Sequence, residues 1–88
     1  MKGGGSVQFD NLAVGNVIRK HRKDKAMTQE LLSGLAGIAR SHLSMIENGT
    51  KQPNFETIWR ISEALDITPS ELVAEIEAET ARRMDSSI

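Results

Sequence analysis

The chain has 88 residues, 39% of them hydrophobic and only Phe9, Phe55 and Trp59 aromatic, which suits one domain with an aliphatic core and leaves no room for two. With no Cys it can form neither a disulfide nor a thiolate metal site, His21 and His42 are too few for a zinc site, and no apolar run approaches the ~20 residues that span a bilayer. The net charge of −1 hides a polarity: residues 10–62 carry eight basic against five acidic side chains and residues 63–88 two against seven, so a basic body precedes an acidic end.

Residues 1–9, with Gly3, Gly4, Gly5 and Ser6, read as a flexible leader. They lack the apolar segment of a signal peptide, and the lack of Cys agrees with a reducing cytoplasm. Helix one is expected over roughly residues 11–25. Val14, Val17, Ile18 and His21 fall on one face, and a basic run of Arg19, Lys20 and Lys23, for which a solvated face is the plain reading, falls on another. Thr28 is a good N-cap for helix two, residues 29–35, whose apolar stripe is Leu31, Leu32 and Leu35. Gly34 inside that helix costs about 1 kcal/mol relative to Ala. Ala36-Gly37 breaks the helix, with Gly37 suited to a positive φ.

Helix three follows over about residues 40–48 and ends at Gly49. Leu43 and Ile46 point inward, while Arg40, Ser41, His42, Ser44 and Met45 do not form a core-like set. After a polar loop with Pro53, Asn54 caps helix four, which runs to about Leu65 with Phe55, Ile58, Ile61 and Leu65 as its stripe. Thr68-Pro69-Ser70-Glu71 is a capping box with Pro at the first helical position. It opens helix five, expected to reach about Arg83 with Leu72, Val73 and Ile76 facing the body; residues 84–88 read as a frayed tail. Five helices with short connections make an all-α domain over residues 10–83.

Thr28 to Ile46 thus joins two short helices by a tight turn at Gly37. Ser33 and Ala36 are small where those helices approach, and Leu32, Ile38, Leu43 and Ile46 fill the angle between them. The polar face of helix three is left outward, of a size to enter a groove about as wide as a helix. In its strings IRKHRKDKAMTQ, LAGIARSHLSMIENGTKQP and ETIWRISEALDI, the chain resembles the phage-repressor and Cro-like (XRE-like) helix-turn-helix family over about residues 14–72.

That resemblance implies a lambda-repressor-like five-helix bundle and a sequence-specific regulator of transcription that reads double-stranded DNA with helix three in the major groove. It implies base contacts from Arg40, Ser41, Ser44 and Met45, with Arg40 the candidate for guanine. It implies phosphate contacts from Thr28, Gln29, His42, Asn48, Lys51 and Gln52, and a structural ion pair of Arg22 with Glu47. Bland alternatives stay open: Arg40 pairs with a local carboxylate or a phosphate, Ser41 stabilises the helix start, Met45 packs, and His42 is solvated.

Three departures from the family pattern touch the scaffold: Ala26 for the usual Gly after helix one, Gly34 for a helix former, and His21 for a core Leu. His21 is expected to be partly buried and capped by a local carbonyl, not a metal ligand or pH switch. Trp59 either lies over helix five as satellite core or anchors a partner. No catalytic spacing is found, so no enzyme is expected. Nor is a cofactor, a membrane or a small-molecule ligand. One short helix touches few base pairs, so a homodimer on an inverted repeat is expected, using helix five, its flanks and Trp59. The rival reading is a regulator of the same fold, an antitoxin or co-regulator, that works through a protein partner on that same surface.

Overall fold

The structure, a computed structural model, describes residues 9–86. The leader expected over residues 1–9 lies outside the described residues except for Phe9, and residues 87–88 of the expected tail lie outside them too.

Five helices make up the fold: α1 (Asn11–Asp24), α2 (Gln29–Ala36), α3 (Arg40–Glu47), α4 (Phe55–Ala64) and α5 (Pro69–Ser86), with no strand among the described residues. Four of the five starts have a side chain that satisfies a free backbone N–H. Asp10 accepts from Leu12, Thr28 from Leu31 and Asn54 from Thr57. At α5, Thr68 Oγ1 accepts from the Glu71 N–H at 3.1 Å while Glu71 Oε1 accepts from the Thr68 N–H at 3.0 Å, a complete capping box. The exception is α3, which starts after Ala39 with no side-chain cap.

α1 packs on α5 and α3, α2 on α3 and α4, and α4 on α5. Val14, Ile18, Leu32, Leu43, Ile46, Ile61, Leu65 and Leu72 are fully buried in one aliphatic core shared by all five helices. The start of α1 is tied to the last turns of α5: Arg83 Nε donates to Asp10 Oδ2 at 2.7 Å. That hydrogen bond holds the Asp10 carboxyl below the usual carboxylate range. α5 continues to Ser86, past its expected end near Arg83.

The apolar stripes differ from the expected ones at four positions. Leu31 and Leu35 of α2, Phe55 of α4 and Val73 of α5 are 49%, 58%, 69% and 46% exposed. The 3.6-residue period finds an apolar sector but does not say how wide a sector the neighbours cover. In α2 the sector is narrower and centred on Leu32, Ser33 and Ala36. In α4 it falls on Thr57, Ile58, Ile61 and Ser62; Phe55 lies on the same side as Ser62, seven residues on, but in the first turn, where it stays exposed. In α5 the sector is narrowed to Leu72, Ile76 and Thr80, each buried, with Val73 one position around the helix from Leu72.

His21 also departs from expectation. Its partner is a carboxylate from another helix, with Nε2 2.8 Å from Glu75 Oε1, and not a local carbonyl. α1 and α5 run side by side, so residues distant in sequence meet.

Candidate nucleic-acid interface

α2 ends at Gly37, whose φ of 72° places it in the left-handed region open to Gly at little cost. There the Ile38 N–H returns to the Ser33 carbonyl at 3.0 Å, closing the turn that aims α3 across α2. Ser33 and Ala36 are 3% and 4% exposed where the helices touch.

α3 then has two faces with different surroundings. Leu43, Ile46 and Glu47 are buried. Arg40, Ser41, Ser44 and Met45 occupy the opposite sector, spanning about 140° of the helix circumference. Arg40 and Ser41 are exposed, Ser44 is half-buried, and Met45 is 40% exposed. Arg40 has no ion-pair or hydrogen-bonding partner among the described residues. An unpaired guanidinium on an outward helix face is free to fork onto a base edge or a phosphate.

The residues expected at phosphates lie around this face. Thr28 is exposed at the start of α2, its Oγ1 engaged by the Leu31 N–H at 3.0 Å. His42 is half-buried on the flank of α3, and Lys51 and Gln52 are exposed in the loop after it. Asn48 is partly committed: its Oδ1 accepts from the Thr50 N–H at 3.0 Å and from Thr50 Oγ1 at 2.7 Å, shaping that loop and leaving the amide N–H groups to point elsewhere. Gln29 turns inward, donating from Nε2 to Glu47 Oε1 at 3.0 Å.

Behind the outward face sits a buried charge cluster centred on Glu47, which is 2% exposed. Arg22 of α1 forks onto it, Nε to Oε2 at 2.7 Å and Nη2 to Oε1 at 2.9 Å. The same guanidinium donates from Nη1 to the Met27 carbonyl at 2.9 Å, just ahead of α2. One carboxylate therefore joins α1, α2 and α3. Burial pushes the Glu47 carboxyl up, but the hydrogen bonds from Arg22 and Gln29 and the charges of Arg22 and Arg19 outweigh burial and hold it below its ordinary value.

Sequence reasoning missed two residues of this cluster. Arg19, read as part of a solvated basic face, donates from Nη2 to the Glu47 backbone carbonyl at 2.8 Å, and its Nε lies 3.7 Å from Glu47 Oε1. A cation there also suits the negative end of the α3 dipole. Gly15 lets the α1 backbone rest on the last carbonyls of α3: a Cβ built there would overlap the Glu47 carbonyl oxygen and lie 2.6 Å from that of Ile46. The spacing of residues 15, 19 and 22, one turn apart along a face of α1, was the available signal.

Away from α3, Phe55 and Trp59 meet edge to face, ring centroids 5.9 Å apart. Trp59 is 47% exposed and, with Phe55, Pro69, Ser70 and Val73, lines an apolar cleft between the starts of α4 and α5.

The helix-turn-helix family profile matches residues 18–72. The control protein C.MunI from a Mycoplasma species is 38% identical over 66 residues, covering 74% of this chain and 89% of that protein. Among solved structures, the restriction-modification controller protein C.AhdI from Aeromonas hydrophila superposes with a TM-score of 0.69 at 34% identity, covering 70% of this chain and 94% of the other. The controller protein C.Esp1396I, solved as a tetramer in complex with its natural 35 base-pair operator, superposes with a TM-score of 0.75 at 26% identity over 84% of this chain and 97% of that one.

Proposed function

This chain belongs to the phage-repressor and Cro-type helix-turn-helix family, and from that premise we propose that it is a DNA-binding regulator of transcription whose α3 enters the major groove of a duplex operator. The observation that carries the reading is the asymmetry of α3. Leu43, Ile46 and Glu47 fix one side of it, while Arg40, on the other side, is left without a partner among the described residues. A helix with its side chains is about 10–12 Å across, which matches a major groove about 12 Å wide.

Within this reading Arg40, Ser41, Ser44 and Met45 meet base edges. Thr28, His42, Lys51, Gln52 and the free amide of Asn48 meet phosphates on either side. Gln29 serves twice, since one Nε2 hydrogen braces Glu47 and the other is available to a phosphate beside the α2 N-terminus. Within the same reading the protein needs no cofactor and acts in the cytoplasm.

The chain works as a homodimer. The exposed apolar surface of Phe55, Trp59 and Val73 at the starts of α4 and α5 supports this, because one α3 reads too few base pairs for useful specificity. Two copies joined there place two recognition helices on an inverted repeat.

Selection of bound duplexes from a random pool, followed by a salt titration of the winning sequence, tests the whole reading. The expected result is a repeated half-site with fixed spacing and an affinity that falls steeply with salt. No binding to any duplex at low salt overturns it. A selected site with a single half and a protein that sediments as a monomer overturns the dimer alone, and leaves the Phe55–Trp59 surface to another protein.

A further inference from the structure

We propose that a DNA phosphate flanking the base-contacting site docks in the groove between α1 and α5, held by Arg19 and Lys23. The groove is lined by Asn16, Arg19, Lys20, Lys23, Glu79 and Arg82. Four cationic side chains face one carboxylate, in a chain whose net charge is −1. That carboxylate is already satisfied: Arg82 donates to Glu79 from Nε and Nη2 at 3.0 and 2.8 Å, and Asn16 Nδ2 lies 3.4 Å away. Lys20 is engaged with Asp24 at 3.2 Å.

Two cations remain underused. Lys23 is exposed and has no ion-pair or hydrogen-bonding partner among the described residues. Arg19 spends Nη2 on a carbonyl, and its side chain stays 39% exposed. A guanidinium has five N–H donors in a fixed fork, so Arg19 keeps donors for a second acceptor.

Position selects the anion. Arg19 grips the Glu47 carbonyl, so at Arg19 the groove reaches the C-terminal end of α3. A helix lying in a major groove has sugar-phosphate backbone beyond its ends. Cations placed just past the end of α3 therefore face the backbone outside the bases that α3 reads. Lys23 and Arg19 are one helical turn apart on α1, close enough to share one phosphodiester.

This inference rests on the DNA reading, and its test separates the two. Affinity for the selected duplex is measured against salt for the wild type, Lys23→Gln and Arg19→Lys, on a full duplex and on one trimmed at the flank. Lys23→Gln removes an exposed, unpaired charge, so its thermal melting should match the wild type. On the full duplex its log–log salt slope should be shallower by about 0.9, the value of one lost phosphate contact, with the preference for matched over mismatched sites unchanged. Arg19→Lys, which keeps the charge, should retain most of the slope. Trimming should abolish the difference between wild type and Lys23→Gln. Equal slopes, with the wild type still binding, overturn the groove contact. An equal loss on the trimmed duplex overturns its flanking position. Failure of the wild type to bind any duplex defeats the DNA reading, and this inference with it.

Discussion

In the seam between α1 and α3 a carboxylate is 2% exposed and two guanidinium groups close over it. On the ridge where α4 and α5 begin, Phe55 is 69% and Trp59 47% exposed. The seam buries charge and the ridge exposes apolar rings, so each inverts the usual partition of a small soluble domain. The inversions have different causes. A buried ion pair adds little stability over apolar packing, but it accepts only one geometry, and here that geometry sets how α3 sits on α1 and α2. An exposed aromatic pair lacks a covering surface among the described residues and suits one supplied by another molecule. The seam therefore serves orientation and the ridge, on the proposed function, serves association, and substitutions in each should separate along that line.

The largest effect is expected in the seam. Glu47→Ala leaves Arg22 buried without its partner and should cost about 3–5 kcal/mol of folding stability, measured by urea unfolding. Gly15→Ala, which drives a methyl group against the carbonyls of Ile46 and Glu47, should cost about 3 kcal/mol, at the upper end for overpacking. If either variant unfolds like the wild type, the seam does not hold α3.

Acid should act through the same carboxylate. The folded-state pKa of Glu47 is depressed, so the stability it contributes is present above the ordinary carboxylate range and is lost as pH falls through that range towards the folded value. Urea midpoints of the wild type should decline over that window more than those of Glu47→Gln, which has no carboxylate to protonate there. Parallel curves would assign the acid sensitivity to other groups, such as Asp10 with Arg83.

The ridge should answer differently. Trp59→Ala should weaken self-association by about 2 kcal/mol, the scale of an interface hot spot, which is roughly 30-fold in dissociation constant. Monomer stability should change by about 1 kcal/mol or less. Trp59 is the only tryptophan, so its fluorescence on dilution reads burial in the dimer directly. A large loss of monomer stability with association unchanged would make the ridge part of the core and erase the contrast with the seam.

Local chemistry made the helices legible. Thr28, Asn54 and the Thr68-Pro69-Ser70-Glu71 box each mark a start by a bond made within three residues, and Gly37 marks a turn by its own backbone freedom. Leu32, Leu43, Ile46 and Ile61 were legible as core because they lie at the centre of their stripes, where any packing arrangement buries them. Leu31, Leu35, Phe55 and Val73 lie at stripe edges, and their exposure depends on how far a neighbouring helix reaches. Arg19 reads as one more surface cation until α3 is laid against α1. The Glu75 partner of His21 is 54 positions away, beyond any local rule. The proposed base-reading role of Arg40, Ser41, Ser44 and Met45 comes only from likeness to a family, because four polar or flexible residues on a short helix carry no intrinsic mark of DNA.

The smallest effects should come from two positions outside both regions. Gly34 sits within α2, and a Cβ built there meets nothing within 4 Å, so Gly34→Ala removes backbone entropy at no steric cost and should gain about 1 kcal/mol. Ala26 has the opposite fault. It holds a φ of 57° between α1 and α2, where an L-residue pays about 1–2 kcal/mol that Gly does not. Ala26→Gly recovers part of that cost, offset by the greater freedom Gly has when unfolded, for a gain of about 1 kcal/mol or less. A gain of about 1 kcal/mol in a domain of this size raises the melting temperature by about 4–8 °C. Neither change touches Glu47, Arg40 or Trp59, so operator affinity and self-association should stay at wild-type values while melting rises. A stabilised Ala26→Gly variant with altered operator affinity would mean that the α1–α2 turn, and not the Glu47 seam alone, sets the angle at which α3 meets the duplex.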